Sequence, residues 1–222
     1  MLPPIMIISF IRILTIALTT LLIGAGAASA HPHVWVTMKS AVVYGPDGSI
    51  TGVRHAWTFD DMYSAFAVQG LESKKKGEFT TEELKPLAQV NVESLKEYDF
   101  FTYAKANGKD VIFIEPVDYH LEFSAKDTLL TLHFVLPLKA PLKAKALELE
   151  VFDPSYFVDF SLVEKDPVSL EKAPAGCQIG LAKAAEMTKE MAQKLAEIPP
   201  DGKIPDNSYG AAFSNKISVK CP

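Results

Sequence analysis

Between His33 and Asp61 polar and apolar side chains alternate on both sides of Gly45-Pro46-Asp47-Gly48, a pattern that an antiparallel hairpin accommodates and a helix does not. Pairing Tyr44 with Ser49 across a four-residue turn sets a register in which paired position numbers sum to 93. Period-two alternation then puts Val34, Val36, Met38 and Val42 on one face with Val53, Trp57 and Phe59. The other face carries His33, Trp35, Thr37 and Lys39 with Arg54, Thr58 and Asp60. In this register His33 falls opposite Asp60, and His31 comes near the Asp60-Asp61-Met62 corner. His55 faces Met38 on the apolar side and reads as a core histidine, with support of a metal ligand from behind as the alternative. A bulge between Lys39 and Ala41 is what would break the register.

Downstream, a short helix is expected over Met62 to Gln69 and a longer one from Thr80, which is spaced from Glu83 as a capping box. Leu84, Leu87, Ala88, Leu95 and Tyr98 recur at helical spacing, and Pro86 is a cost inside that helix. Five strand-like runs follow: 110–115, 117–124, 129–136, 145–152 and 156–163. The turn Ala125-Lys126-Asp127-Thr128 pairs the second and third of these with position numbers summing to 253. One face of that hairpin is apolar, and the other sets His120 across from His133 and Glu122 across from Thr131. Such a pair is either a metal half-site or a surface pair hydrogen-bonded to its neighbours. Residues 167–175 read as a linker, 179–198 as an amphipathic helix with Ala184, Met187, Met191 and Leu195 along one stripe, and Ile217–Cys221 as an edge strand. The two methionines are core fillers or soft Cu(I) ligands.

The first thirty residues hold one charge, Arg12, then the apolar run Ile13 to Gly24 and the small-residue site Ala28-Ser29-Ala30, the layout of a secretory signal peptide. An uncleaved anchor is the alternative, since Ile5 to Ala30 is nearly long enough to span a bilayer. Cleavage after Ala30 leaves a periplasmic chain that starts at His31. Without Arg12 the 22 Lys and Arg fall to 21 against 27 Asp and Glu, and that acidity argues against nucleic acid as a partner. Cys177 and Cys221 in an exported chain are expected to form a disulfide that pins the C-terminal tail; a metal-thiolate role is the alternative, although the spacing matches no zinc motif.

A processed terminus gives His31 two nitrogens for one ion, the α-amine and ring Nδ1. A histidine in third position suggests the square-planar amino-terminal copper and nickel motif, but Pro32 has no amide N–H to give up. What remains is a brace-like set: amine and imidazole of His31, imidazole of His33, and a carboxylate from Asp60 or Asp61. Mixed nitrogen and oxygen donors suit Zn, Ni, Co or Cu(II). His120 and His133 are either the missing ligands or a second site. Enzyme signatures such as G-x-S-x-G, H-E-x-x-H, C-x-x-C and phosphate-cradling glycine loops do not occur. Asp153-Pro154-Ser155-Tyr156 with Asp159 forms a polar cluster at a strand junction, read as a turn or as part of a site.

Three motifs carry a likeness: His31-Pro32-His33-Val34-Trp35 directly after the leader, Trp57-Thr58-Phe59-Asp60-Asp61 with Tyr63-Ser64, and Asp153-Pro154-Ser155-Tyr156-Phe157. Together they resemble an uncharacterised bacterial family of periplasmic proteins that bears a domain-of-unknown-function label. That family is commonly described as the periplasmic component of an ABC-type transport system. The resemblance implies a nickel/cobalt-type metal permease as partner.

The expected fold is α+β, mainly β: antiparallel hairpins in a sandwich or strongly bent sheet, with one packed helix and a C-terminal helix. The expected organisation is a signal peptide over 1–30, a β-rich domain with an inserted helix over 31–166, and a C-terminal helix and tail tied by the disulfide over 167–222. The expected function is a periplasmic transition-metal-binding accessory protein, without catalysis, that captures or delivers an ion for a metal-transporting membrane permease. Alternatives are a metal-free interaction subunit of a transport complex and, more remotely, a histidine-brace copper oxidase.

Overall fold

Two β-sheets take up most of the computed structural model, which describes residues 32–184, 188–196 and 208–222. The leader, His31 and Met187 lie outside the described residues. Strand β1 (Val34–Tyr44) and β2 (Ile50–Phe59) form the first hairpin. Helices α1 (Asp61–Ala67) and α2 (Thr81–Leu95) follow, then a 3-10 turn over Lys96–Phe101. Next come β3 (Thr102–Ala106), β4 (Lys109–Asp110), β5 (Val117–Ser124), β6 (Leu129–Leu142), β7 (Ala146–Val151) and β8 (Val158–Leu162). The chain continues through β9 (Val168–Glu171), β10 (Gln178–Ala182), α3 (Lys189–Ala196), α4 (Ser208–Ala212) and β11 (Asn215–Lys220). One sheet runs β5-β6-β2-β1-β8, with β9 also paired to β1, and the other runs β10-β11-β7-β3-β4. This mainly β, α+β arrangement is the expected class.

The chain divides into two units. Helix α3 belongs to the smaller; Thr188 Oγ1 accepts the Met191 N–H at 3.2 Å at its start, and Glu190 and Lys194 pair along it. The larger unit holds both sheets. Its apolar interior has two parts. In one, Val36, Met38, Trp57, Leu121, Leu132 and Phe134 pack with Leu84, Ala88 and Val92 of α2. In the other, Val42, Ile50 and Val53 of the first sheet meet Leu147, Leu149, Ile217 and Val219 of the second. Helix α2 carries the expected capping box, with Glu83 N–H bonded to Thr80 Oγ1 and the Glu83 carboxylate returned to Thr80 N–H.

The β1–β2 register differs from expectation by two residues: Val36 pairs with Phe59 and Val42 with Val53, so the sum is 95. Two local features account for it. The loop closes as three residues, with Gly45 N–H on Ser49 O at 2.8 Å and Gly48 in the left-handed region at φ 77°. The second step is a bulge at Thr51, because Val43 pairs with Gly52 while Tyr44 pairs with Ile50. An even displacement leaves every side chain on its expected face, so the core list survives. It moves the partner of Trp35 to Asp60 and removes His33 from it. The β5–β6 register keeps its expected sum, with His120 paired to His133 and Glu122 to Thr131.

The C-terminal elements differ more. Residues 178–182 are a strand rather than the start of a helix, and β11 lies between β10 and β7 instead of at an edge. Within the stretch read as a linker, β9 runs parallel beside β1. The Cys177–Cys221 disulfide forms as expected and holds the start of β10 against the end of β11.

Candidate functional site at the start of strand β1

The three motifs, far apart in sequence, meet where β1 begins. Strand β1 lies between antiparallel β2 and parallel β8, so its first residues have a neighbour on each side. On the β8 side, the N–H groups of His33 and Val34 both reach Phe157 O, at 2.8 and 3.2 Å. The His33 ring stacks on Phe157 with centroids 4.7 Å apart. On the β2 side, Asp60 N–H donates to Trp35 O at 2.9 Å, and Trp35 N–H donates to Asp60 Oδ2 at 2.8 Å.

Asp60 does a second job. As N-cap of α1 it accepts the Tyr63 N–H on Oδ1 at 2.8 Å, so each carboxylate oxygen holds a backbone donor. Asp61 Oδ1 accepts the Met62 N–H at 2.9 Å in the first turn of α1. Ser64 is fully buried; its hydroxyl donates to Phe59 O and accepts the Leu130 N–H, tying α1 to β6. Tyr63 donates its phenol to Asn91 Oδ1 at 2.9 Å, linking α1 to α2.

The third motif is a turn held by one buried carboxylate. Asp153 Oδ1 accepts from Ser155 N–H and Ser155 Oγ, and Oδ2 accepts from Val158 N–H at 3.0 Å. This turn launches β8, which sets Asp159 beside Trp35 in parallel register. Burial holds the Asp159 carboxyl above the usual carboxylate range, against a hydrogen bond from Tyr156 that lowers it. Tyr156 is itself pushed up to about 12 by burial and by Asp159.

His33, Trp35, Phe157 and Asp159 therefore share the outer face of the first sheet at one corner. Trp35 and Phe157 are 45% and 41% exposed there. From sequence Phe157 stands in the third motif and Asp159 in the polar cluster at the strand junction, but neither is placed beside His33 or Trp35. Alternation along 157–159 puts both on one face, but nothing in the chain announces that β8 runs parallel to β1, because parallel partners share no connecting turn.

His120 and His133 lie on the same outer face, since β6 pairs with β2 and its polar side turns the same way. They do not reach the corner. His133 pairs with Ala56, four residues up β2 from Asp60, a separation of about 13 Å at the strand rise. The two rings stack at 4.7 Å, nearly parallel at 8°. His133 Nε2 is 3.3 Å from Glu122 Oε2. Burial first, then the neighbouring His120, lowers the His133 pKa, and Glu122 partly opposes them.

His55 is core: 1% exposed, with Nδ1 3.0 Å from Ser40 Oγ and Nε2 3.4 Å from Thr102 Oγ1, so it bridges the two sheets. Among the described residues no three His, Cys, Asp or Glu side chains converge as a metal-holding group. His31, two residues before His33, falls outside them.

Comparison with known proteins agrees with this pattern of motifs. The chain is 24% identical over 195 residues to an uncharacterized protein of Haemophilus influenzae, spanning 86% of this chain and 91% of that protein. The match to the family described as "Protein of unknown function (DUF1007)" runs over residues 16–221 and so takes in all three motifs and both cysteines. The chain belongs to the DUF1007 family.

Proposed function

We propose that the protein is exported to the periplasm, cleaved after Ala30, and carries a transition-metal ion to or from a membrane permease of the nickel/cobalt type. The observation behind this reading is the fixed position of His33. Backbone bonds to Phe157 and the ring stack hold that imidazole at an exposed corner, two residues from the terminus that processing creates. The α-amine and Nδ1 of His31 close a chelate, and His33 supplies a third nitrogen to the same ion. Pro32 withholds the backbone nitrogen that would complete a square plane, so the ion is held by side chains and one amine. A carrier must also release its cargo, and protonation of the amine and imidazoles does that. Zn, Ni, Co and Cu(II) all suit such donors.

Native mass spectrometry of the processed chain, offered each metal in turn, tests the reading. The expected result is one retained ion on a chain that begins at His31, and its loss when one glycine is added before His31. No retained ion, or retention indifferent to the added glycine, contradicts it.

Exposed apolar side chains at the same corner favour a second reading, a metal-free docking subunit. Trp35 and Phe157 are exposed there, and Met62 and Phe66 of α1, the helix that follows β2, are 70% and 74% exposed. Replacing His31 and His33 by alanine separates the two, because only the carrier reading requires that permease-dependent metal uptake fall while the fold stays intact.

A further inference from the structure

We infer that the free edge of β10 pairs with the β10 of a second copy of this chain, joining two molecules through one continuous sheet. Strand β10 ends the second sheet, with β11 on one side and no strand among the described residues on the other. An unpaired edge offers backbone N–H and C=O groups to an extended segment, and folded chains usually blunt it with charge, a bulge or short length. The other described edges do so. β5 carries Asp118 and Glu122 and breaks register between Val117 and His120, β4 is two charged residues, and β8 and β9 hold Asp159 and Glu171. β10 has no charged residue, no proline and an unbroken register, and all five of its residues are exposed.

The alternation of hydrogen bonds fixes which groups this edge presents. Cys221 N–H donates to Lys145 O at 2.8 Å, so the odd residues of β11 bond to β7 and its even residues to β10. Gln178, Gly180 and Ala182 are the partners of Lys220, Ser218 and Lys216 and bond inward. Ile179 and Leu181 therefore turn both of their backbone groups outward. Their side chains lie directly opposite Val219 and Ile217, on the same face. Val219 and Ile217 are 2% and 1% exposed, whereas Ile179 and Leu181 are 37% and 49% exposed. The apolar layer thus runs out to the edge of the sheet and stops there uncovered.

The chain carries its own complement to this edge. A two-fold axis at Gly180 pairs Ile179 of each strand with Leu181 of the other in antiparallel register, as an isologous contact requires. Each such pair exchanges two hydrogen bonds, so every outward group on both copies finds a partner. The two Gly180 residues meet between them as the close, non-hydrogen-bonded pair, about 4.5 Å apart at Cα, where the lack of a side chain eases the approach. Ile179 and Leu181 of both copies close one apolar cluster on the core face. Gln178 faces Ala182, and Lys183 faces Cys177 rather than its own copy, so no like charges meet. The Cys177–Cys221 bond already holds β10 on β11, so little freedom is lost on pairing.

A single strand pair buries less than the ~1,200 Å² of a stable interface, so the dimer is expected to be weak and concentration-dependent. Sedimentation equilibrium of the processed, disulfide-bonded chain, carried from micromolar to millimolar concentration, should show monomer passing to dimer. Leu181→Lys sets a cation in the apolar cluster and should weaken association by about tenfold or more. Ile179→Pro deletes an outward N–H and no bond to β11, and should act in the same direction. Circular dichroism checks that each variant is folded. Residue-resolved amide exchange of the unaltered chain needs no variant and locates the contact: the Ile179 and Leu181 amides should slow as concentration rises, while the Gly180 amide is protected throughout. A dimer that both folded variants leave intact, or one in which the Ile179 and Leu181 amides exchange as they do in the monomer, overturns the proposal. A chain that stays monomeric at millimolar concentration overturns it as well, and leaves a strand of another protein as the occupant of this edge.

Discussion

Acid should unfold this protein through His55, and the size of the effect follows from its surroundings. The ring is buried between the sheets, and its neighbours define the tautomer. Thr102 Oγ1 donates to Phe100 O at 2.8 Å, so it faces His55 with a lone pair and accepts from Nε2–H; Ser40 Oγ donates to Nδ1. Adding a proton to Nδ1 makes the ring the donor, so the Ser40 hydroxyl must turn and accept, and it places a charge in an apolar interior. Burial pushes the pKa down to about 3 from the usual 6.5. Because the folded-state value is depressed, the unfolded chain binds the extra proton. Stability is complete above about pH 6.5 and is lost as pH falls toward 3. Three and a half pH units at about 1.4 kcal/mol each bound the loss at roughly 5 kcal/mol, of which about 2 kcal/mol is gone by pH 5. Urea unfolding at pH 7.5 and 5.0, for the unaltered chain and for His55→Gln, isolates this from the carboxylates. The unaltered chain should lose about 2 kcal/mol more than the variant across that interval. Equal losses would mean that the imidazole is not held neutral between the sheets.

Three further perturbations test the scaffold. Breaking the Cys177–Cys221 bond, which closes a separation of 44 residues, should cost about 4 kcal/mol by loop entropy and free β10 first, seen as early hydrogen exchange at Gly180 and Ala182. Gly52→Ala should cost about 2 kcal/mol in thermal or urea unfolding, since a Cβ there would come within 2.7 Å of Leu136 O, a backbone atom that cannot give way easily. Ser64→Ala should cost about 2 kcal/mol by leaving the Leu130 N–H buried and unbonded, and should raise exchange at that amide.

Much of the scaffold could be read before any coordinates. Alternation alone sorts the faces of β1, β2, β5 and β6, because side chains in a strand repeat every two residues whatever the exact pairing. The capping box at Thr80 and the turn before Leu129 were legible for the same reason: local chemistry fixes them. Register depends on loop details that alternation does not encode, and one three-residue loop plus one bulge at Thr51 displaced it by two. Long-range partnerships were less visible still. Strands β8 and β9 pair with β1 without sharing a turn with it. The stretch Gln178–Ala182 resembled the start of a helix, yet the disulfide places it beside β11, and Gly180, a poor helix former, lets Ser218 approach closely. Positive φ at the consecutive non-glycine residues Asp99, Phe100 and Phe101 has no signature in their side chains.

For the candidate site, the three motifs meet at one corner, but the expected register gave His33 the wrong neighbour. The expected register pointed at Asp60. The observed pairing gives Asp60 to Trp35 and gives His33 to Phe157. His120 and His133 were expected either to join the His31 site or to form a second one; the register puts His133 beside Ala56, four residues along β2 from Asp60.

The measurement closest to the central claim is electron paramagnetic resonance of the processed chain loaded with one equivalent of Cu²⁺, used as a probe that counts nitrogens. The account predicts three coordinated nitrogens, two from His31 and one from His33, dropping to two in His33→Ala and losing the chelate when a glycine precedes His31. A nitrogen count unchanged by both alterations, or a spectrum of unbound copper, would contradict it.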